Sequence, residues 1–288
     1  MKTNNLNVRG LNIHVQEWGD AKNKPTLFML HGWMDCGATY KYSAQFLQED
    51  YHIVAPDLRG FGHSDHASPY WFPDYFADLE VILNYYAPDR PVNLVGHSMG
   101  GNIVLTYAGI NPQRVSRVLS LDSAGLPPSE PSEAPNKYRQ WMREILSEEP
   151  SKIYPNKGML MHSIYKGNPR LSTESIEDLA LLWGKPVDGN ENGAWMLKHD
   201  HKHRYTNPVR YQWDDSVAVW KEITARVGLV MAEQSGLYDR YQSIDRINQV
   251  KSILSIADND YFLIKDSGHM LHIEQPEATA NCIAKFFS

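Results

Sequence analysis

The chain has 288 residues, of which 42% are apolar and 22% charged, and its 28 basic and 34 acidic side chains leave a net charge of −6. That composition excludes a disordered or collagen-like polymer. Area scaling buries about three-quarters of the unfolded surface, so a sizeable core needs no metal or disulfide staple. The acidic balance argues against nucleic acid or an anionic membrane as the main partner, because a phosphate footprint needs clustered Lys and Arg. The two cysteines, Cys36 and Cys282, form neither a disulfide framework nor a C-x-x-C pair. The opening MKTNNLNVRG has no apolar signal region. No apolar run approaches the ~18 residues of a spanning helix. The expectation is a cytoplasmic protein with no membrane span.

Leu6–Val8 and Leu11–Trp18 read as strands joined by a hairpin at Arg9-Gly10. Thr26–Leu30 is a short continuous apolar run, as a buried parallel strand requires, and His52–Ala55 and Val92–Val95 share that character. Between the last two, Pro73–Ala87 sets Phe76, Leu79, Ile82 and Leu83 at helical spacing, and Pro88 stops it. Ile103–Ile110 reads as a helix ended by Asn111-Pro112, and Val115–Leu121 as the sixth strand. The rhythm then changes. Residues 125–215 are rich in Pro, Trp, Tyr and Met, with helical pieces at Tyr138–Glu148 and Ser172–Trp183. Alternation resumes at Val227–Ala232, Ile244–Val250, Tyr261–Ile264 and Pro276–Phe287. The pattern predicts one α/β core, residues 1–124 and 216–288, around a mainly parallel sheet. A mainly helical cap of about 90 residues, 125–215, interrupts it after the sixth strand; inserts of that length usually serve as lids or binding elements.

Gly96-His97-Ser98-Met99-Gly100 has the pattern G-x-S-x-G, with a strand before it and a helix after it. A serine on such a sharp turn has its hydroxyl pushed out above the sheet. The Met99 N–H falls at a helix start, where it lacks an intrahelical partner and can face an oxyanion. Ser98 needs a base. His269, in Ser267-Gly268-His269-Met270 after the last strand, has the position for it, whereas His272 reads as structural. Leu30-His31-Gly32-Trp33 ends the third strand and can present the Trp33 N–H as a second oxyanion donor. His31 reads as a residue that holds this loop, and His97 as one pointing away from Ser98.

Four segments, LHGWMD at Leu30–Asp35, PDLRGFGHS at Pro56–Ser64, VGHSMGG at Val95–Gly101 and GHMLHIEQP at Gly268–Pro276, together resemble an α/β-hydrolase-fold serine hydrolase. The resemblance covers roughly residues 1–125 and 225–288 and is closest to the serine-hydrolase-like, carboxylesterase-type branch. It implies an eight-stranded, mostly parallel sheet flanked by helices. It also implies that Asp57 and Ser64 lie on a structural turn. The family usually supplies the triad acid just after the seventh strand, in a string like G-x-x-D. Here that place reads Glu233-Gln234-Ser235-Gly236. Asp122, at the end of the sixth strand, is favoured as the acid by position, with Asp239 and Glu233 as alternatives.

These residues point to hydrolysis of carboxylic esters through an acyl-enzyme on Ser98, with a small-molecule ester as substrate. Relatives that open epoxides or remove halides need a carboxylate where Ser98 stands. Alternatives on the same triad are a C–C bond hydrolase, a lactonase or an amidase; a non-catalytic ligand-binding protein is the rival outside the enzyme class. No metal cluster, phosphate loop or dinucleotide fingerprint is apparent, so no cofactor is expected. Trp141, Trp183 and Met161, with Trp195 and Met159, are candidates to line the substrate pocket from the cap, against the alternative that they form the cap's own core.

Overall fold

The computed structural model describes every residue except Asn23 and Glu148. Glu148, the expected end of the Tyr138–Glu148 helix, thus lies outside the described residues. Strand β1 (Lys2–Val8) turns into β2 (Leu11–Trp18) through Arg9 and Gly10, both at positive φ. Two-residue turns of that kind match the twist of the strands they join. Next come β3 (Thr26–Leu30), the short helix α1 (Lys41–Ala44) and β4 (His52–Pro56). Helix α2 (Phe72–Tyr86) leads to β5 (Val92–His97), α3 (Met99–Ile110) and β6 (Val115–Leu121).

The chain then makes an excursion. It comprises α4 (Ala134–Ser147), β7 (Ile153–Tyr154), α5 (Lys157–Gly167), α6 (Thr173–Trp183), β8 (Gly184–Pro186) and β9 (Trp195–Leu197). Helix α7 (Trp213–Trp220) returns it to β10 (Arg226–Ala232), α8 (Gly236–Ser243), α9 (Arg246–Ile253) and β11 (Tyr261–Ile264). Helices α10 (Leu271–Glu274) and α11 (Pro276–Phe287) complete the chain.

The main sheet has eight strands in the order β1-β2-β4-β3-β5-β6-β10-β11. β2 runs antiparallel to both its neighbours, and the other pairs are parallel. The chain steps from β3 to β4 on one side and then to β5 on the other. The carboxyl ends of β3 and β5 are therefore adjacent, with Leu30 opposite Gly96. In open α/β sheets such a reversal leaves a crevice where ligands bind.

The period of two along each strand divides the core. Phe28 and Leu30 of β3, with Leu229 and Met231 of β10, pack under α2, α3 and α9. Leu27, Met29, Val230 and Ala232 face α1 and α11 on the other side, around Phe286. A third cluster, with Leu160, Ile164, Leu179 and Trp195, belongs to the excursion.

The differences from expectation are local. α4 starts at Ala134 rather than Tyr138, the helix expected at Ile244–Val250 is α9, and α8 before it is not among the expected elements. β7 has two residues and β8 and β9 three each, too short for any periodicity to register. α7 runs across residue 215, the boundary drawn from composition, and its Trp220 is buried in the main core.

Phe286 has no solvent exposure and fills the α11 side of the sheet beside Gly228. Phe286→Ala is expected to lower the unfolding free energy by about 3–5 kcal/mol, read by urea denaturation. A loss under about 1 kcal/mol would show that the site collapses around the missing ring.

Candidate active site

Ser98 joins β5 to α3 with φ 52° and ψ −113°. Few L-residues adopt this backbone, and it holds only where the surroundings over-determine it. Two close approaches do so here. A side chain at Gly96 would meet the Gly100 carbonyl at 2.2 Å, and one at Gly100 would meet the Leu30 carbonyl at 2.2 Å. The Ser98 N–H donates to the Leu121 carbonyl at 2.9 Å, tying the turn to the end of β6.

The residues expected as base and acid come from two other strand ends. His269 lies in the loop after β11, and its Nε2 accepts the Ser98 hydroxyl at 2.9 Å. Its Nδ1–H donates to Asp122 Oδ2 at 2.6 Å. Asp122 directly follows β6 at φ 47°, a left-handed conformation that Asp tolerates better than most residues, and its carboxylate is fully buried. Oδ2 also accepts the Ser235 hydroxyl at 2.6 Å, and Oδ1 accepts the Ala232 N–H at 3.2 Å. Of the three carboxylates weighed from sequence, Asp122 is the one that meets His269. Glu233 instead accepts the Asp266 N–H, and Asp239 is exposed in the first turn of α8.

The histidines around the site hold loops. Leu58 N–H donates to His31 Nε2 at 2.9 Å, and His31 Nδ1–H donates to the Gly32 carbonyl at 2.7 Å. Both ring nitrogens are thus engaged, and burial lowers the His31 pKa. The His97 Nε2–H donates to the His269 carbonyl at 2.8 Å, which braces the base from behind. Burial pushes the His97 pKa well below the usual imidazole value. His272, Asp35 and His97 bring one potential ligand atom each within 4.8 Å of one another. Both Asp35 oxygens already accept, Oδ1 from Trp183 Nε1–H at 2.8 Å and Oδ2 from the Thr39 hydroxyl at 3.0 Å. The group therefore reads as a buried polar cluster that joins the loop after β3 to the end of β5 and to α10. Asp57 accepts the Gly37 and His63 N–H groups, and the Ser64 hydroxyl donates to the Asp57 carbonyl, so both serve the turn.

Gly32 lies against Ser98: a side chain there would stand 3.2 Å from Ser98 Cβ. Beside them opens a cavity of about 540 Å³ lined by Trp33, Met99, Tyr70, Trp71, Phe72 and Trp141 among others. Trp141 alone of the three principal candidates from the excursion lines this cavity. Met161 packs against the cluster around Leu160, and the Trp183 indole is spent on Asp35. Trp195 is buried with its indole N–H on the Glu191 carbonyl, and Met159 is exposed. The correction follows from packing: the excursion must bury its own aromatics and methionines before it can lend any to a pocket. The aromatic wall missed from sequence is Tyr70-Trp71-Phe72. Its signal is the density of rings just before Pro73.

A family model described as alpha/beta hydrolase fold matches residues 25–276. The chain belongs to the α/β-hydrolase-fold family. Among curated relatives it is 27% identical to a serine hydrolase-like protein of Danio rerio, over 95% of this chain and 84% of that protein. It is 26% identical to a 3-hydroxybutyrate-oligomer hydrolase of Cupriavidus necator, over 88% of this chain and 85% of that one. The thioesterase domain from the curacin biosynthetic pathway superposes with a TM-score of 0.83 at 24% identity, covering 99% of each chain. The chain is thus a hydrolase of this fold, and among the described residues no helix is long and apolar enough to cross a membrane.

The cavity wall formed by His201, Lys202 and His203 carries a pH dependence. The His203 ring stacks on Phe61 with centroids 3.9 Å apart and lies 3.7 Å from Tyr70. Burial pushes the His203 pKa down to about 3 and that of nearby His199 down to about 4. An unfolded chain protonates its imidazoles below about pH 6.5, while the folded chain resists. The unfolded state then binds more protons, so stability falls as pH drops from about 6.5 towards 4. Melting temperature measured across that window should fall, and His203→Phe should flatten the slope. An unchanged slope in that variant would place the acid sensitivity elsewhere.

Proposed function

We propose that the chain is a serine hydrolase of carboxylic esters that works through an acyl-enzyme. The carrying observation is the continuous relay from Ser98 Oγ to His269 Nε2 at 2.9 Å and from His269 Nδ1 to Asp122 Oδ2 at 2.6 Å. In this reading His269 takes the Ser98 proton as the hydroxyl attacks the ester carbonyl. The Trp33 and Met99 N–H groups hold the oxyanion. His269 returns the proton to the leaving alcohol, and water then frees the acyl group by the same steps. Asp122 keeps the proton on Nδ1, so that Nε2 faces Ser98, and stabilises the imidazolium as it forms. A hydroxyl at position 98 speaks against epoxide opening, which requires a carboxylate nucleophile.

Two further observations favour esters. The relative named for 3-hydroxybutyrate oligomers, whose units are joined by ester bonds, aligns over most of both chains. The aromatic cavity beside Met99 and Trp33 suits an apolar acyl or alcohol group. Residues 125–215 act as the cap of this site, with Trp141 and Ile145 of α4 and the stretch His201–His203 among its contributions to the cavity wall.

A fluorophosphonate probe should label the wild-type chain at Ser98 rapidly, since labelling requires an activated hydroxyl. Ser98→Ala should abolish labelling and cut ester hydrolysis by about 10³-fold or more while the protein stays folded. Asp122→Asn should cost about 10²–10⁴-fold in kcat, and Asp239→Asn or Glu233→Gln much less. An unlabelled, inactive wild type would instead favour a ligand-binding role for the same fold. Trp141→Ala should shift the preferred length in a series of chromogenic esters; equal loss on every ester, with a lower melting temperature, would make Trp141 a packing residue only.

A further inference from the structure

Ser235 stands where the family resemblance places the acid, yet the relay already has its carboxylate. Its side chain is buried, and its hydroxyl donates into that relay. Its hydroxyl donates to Asp122 Oδ2 at 2.6 Å, the same oxygen that receives His269 Nδ1–H at 2.6 Å. Its oxygen accepts the Leu237 N–H at 3.2 Å, which fixes the hydroxyl at the first turn of α8. Three residues earlier, the Ala232 N–H donates to Asp122 Oδ1 at 3.2 Å. The end of β10 and the turn after it, where the resemblance places the acid, therefore supply both other donors to the acid from the neighbouring strand.

The geometry of this clamp has a mechanical consequence. Asp122 hangs from a single left-handed residue after β6, and its N–H is held by the Val230 carbonyl at 2.7 Å. The weaker contact at Oδ1 leaves the carboxylate free to tilt. The Ser235 hydroxyl limits that tilt by fixing Oδ2, the oxygen that orients His269. Hydrogen bonds to an ionised carboxylate are the stronger kind, so losing one both loosens and partly uncovers a buried charge.

We infer that Ser235 is a positioning residue for the reaction, acting through Asp122 to hold Oδ2 against His269 Nδ1. The inference rests on the triad reading above. The rival is that Ser235 only caps α8, a role that contributes stability but not rate.

The test compares wild type, Ser235→Ala, Ser235→Thr, Asp122→Asn and the double variant Asp122→Asn/Ser235→Ala on one soluble chromogenic ester, after fluorophosphonate labelling of the wild type. A hydrogen bond to an ionised carboxylate is of the stronger kind, so Ser235→Ala should lower kcat by about 10–100-fold. KM should stay within about twofold, because no substrate contact is lost. Ser235→Thr, which keeps the hydroxyl, should recover most of the loss. In the Asp122→Asn background, Ser235→Ala should cost less than about twofold more, since the two residues act as one unit. A Ser235→Ala kcat within about threefold of wild type, a Thr variant no better than Ala, or losses that multiply in the double variant would each overturn the inference. A wild type that takes up no probe overturns the triad reading beneath it, a result that the variants cannot mimic.

Discussion

The backbone of Ser98, at φ 52° and ψ −113°, is the constraint around which the molecule is arranged. Such a conformation costs on the order of 1–3 kcal/mol and survives only if its neighbours leave no alternative. β5 fixes the residue before it, paired on both sides by β3 and β6. α3 fixes the residue after it, starting at Met99. The turn can be this tight only because Gly96 and Gly100 let the strand, the helix and the Leu30 carbonyl approach within the space of a Cβ. Once Ser98 is raised above the sheet edge, the loops after β3, β6 and β11 are the ones within reach, and those three loops carry Trp33, Asp122 and His269.

The position of the acid follows from strand order. β6 lies between β5 and β10, so a residue at its end is one strand away from Ser98 on one side and from Ser235 on the other. An acid after β10 would start one strand further from the nucleophile. At the end of β6 the chain must bend sharply to leave the sheet, and Asp122 accepts the positive φ that this bend requires. The same short polar side chain that tolerates the turn then serves as the buried carboxylate. One residue type thus meets a backbone demand and an electrostatic one at the same position.

This double use explains what the sequence disclosed. The eight strands of the main sheet were legible because buried parallel strands are short apolar runs between turn residues, and the nucleophile because its glycines and flanks repeat a geometric need. Asp122 was favoured only by position, since nothing in the string LSLDSAG separates a triad carboxylate from a turn-forming Asp. Ser235 was noticed only as the residue standing where an acid was expected. Its contact to Asp122 spans 113 positions, and no local pattern encodes a hydrogen bond at that separation. The excursion was least legible. Its small sheet β7-β9-β8 is built from two- and three-residue strands, and its aromatic and Met residues divide between their own core and the cavity by packing alone.

The excursion is bound to the loop after β3, the proposed oxyanion loop, as well as to the rim of the site. The Trp33 indole N–H donates to the His203 carbonyl at 3.3 Å, while Gly32 just before it packs against Ser98. His203 is itself wedged between Phe61 and Tyr70, and Asp200 accepts the Tyr70 hydroxyl at 2.8 Å. On the other side, Trp183 reaches Asp35, two residues beyond Trp33, and Asp178 holds Lys41 and Tyr42. The loop after β3 is therefore gripped from two directions by one inserted segment. α4 is the exception, with no buried residue along its length, although Trp141 and Ile145 face the cavity. The segment thus divides into a docked part that shares its rigidity with the oxyanion loop and one lightly held helix over the cavity. Substitutions in the docked part should act through Trp33 on the reaction itself, whereas those in α4 should act on what the cavity admits.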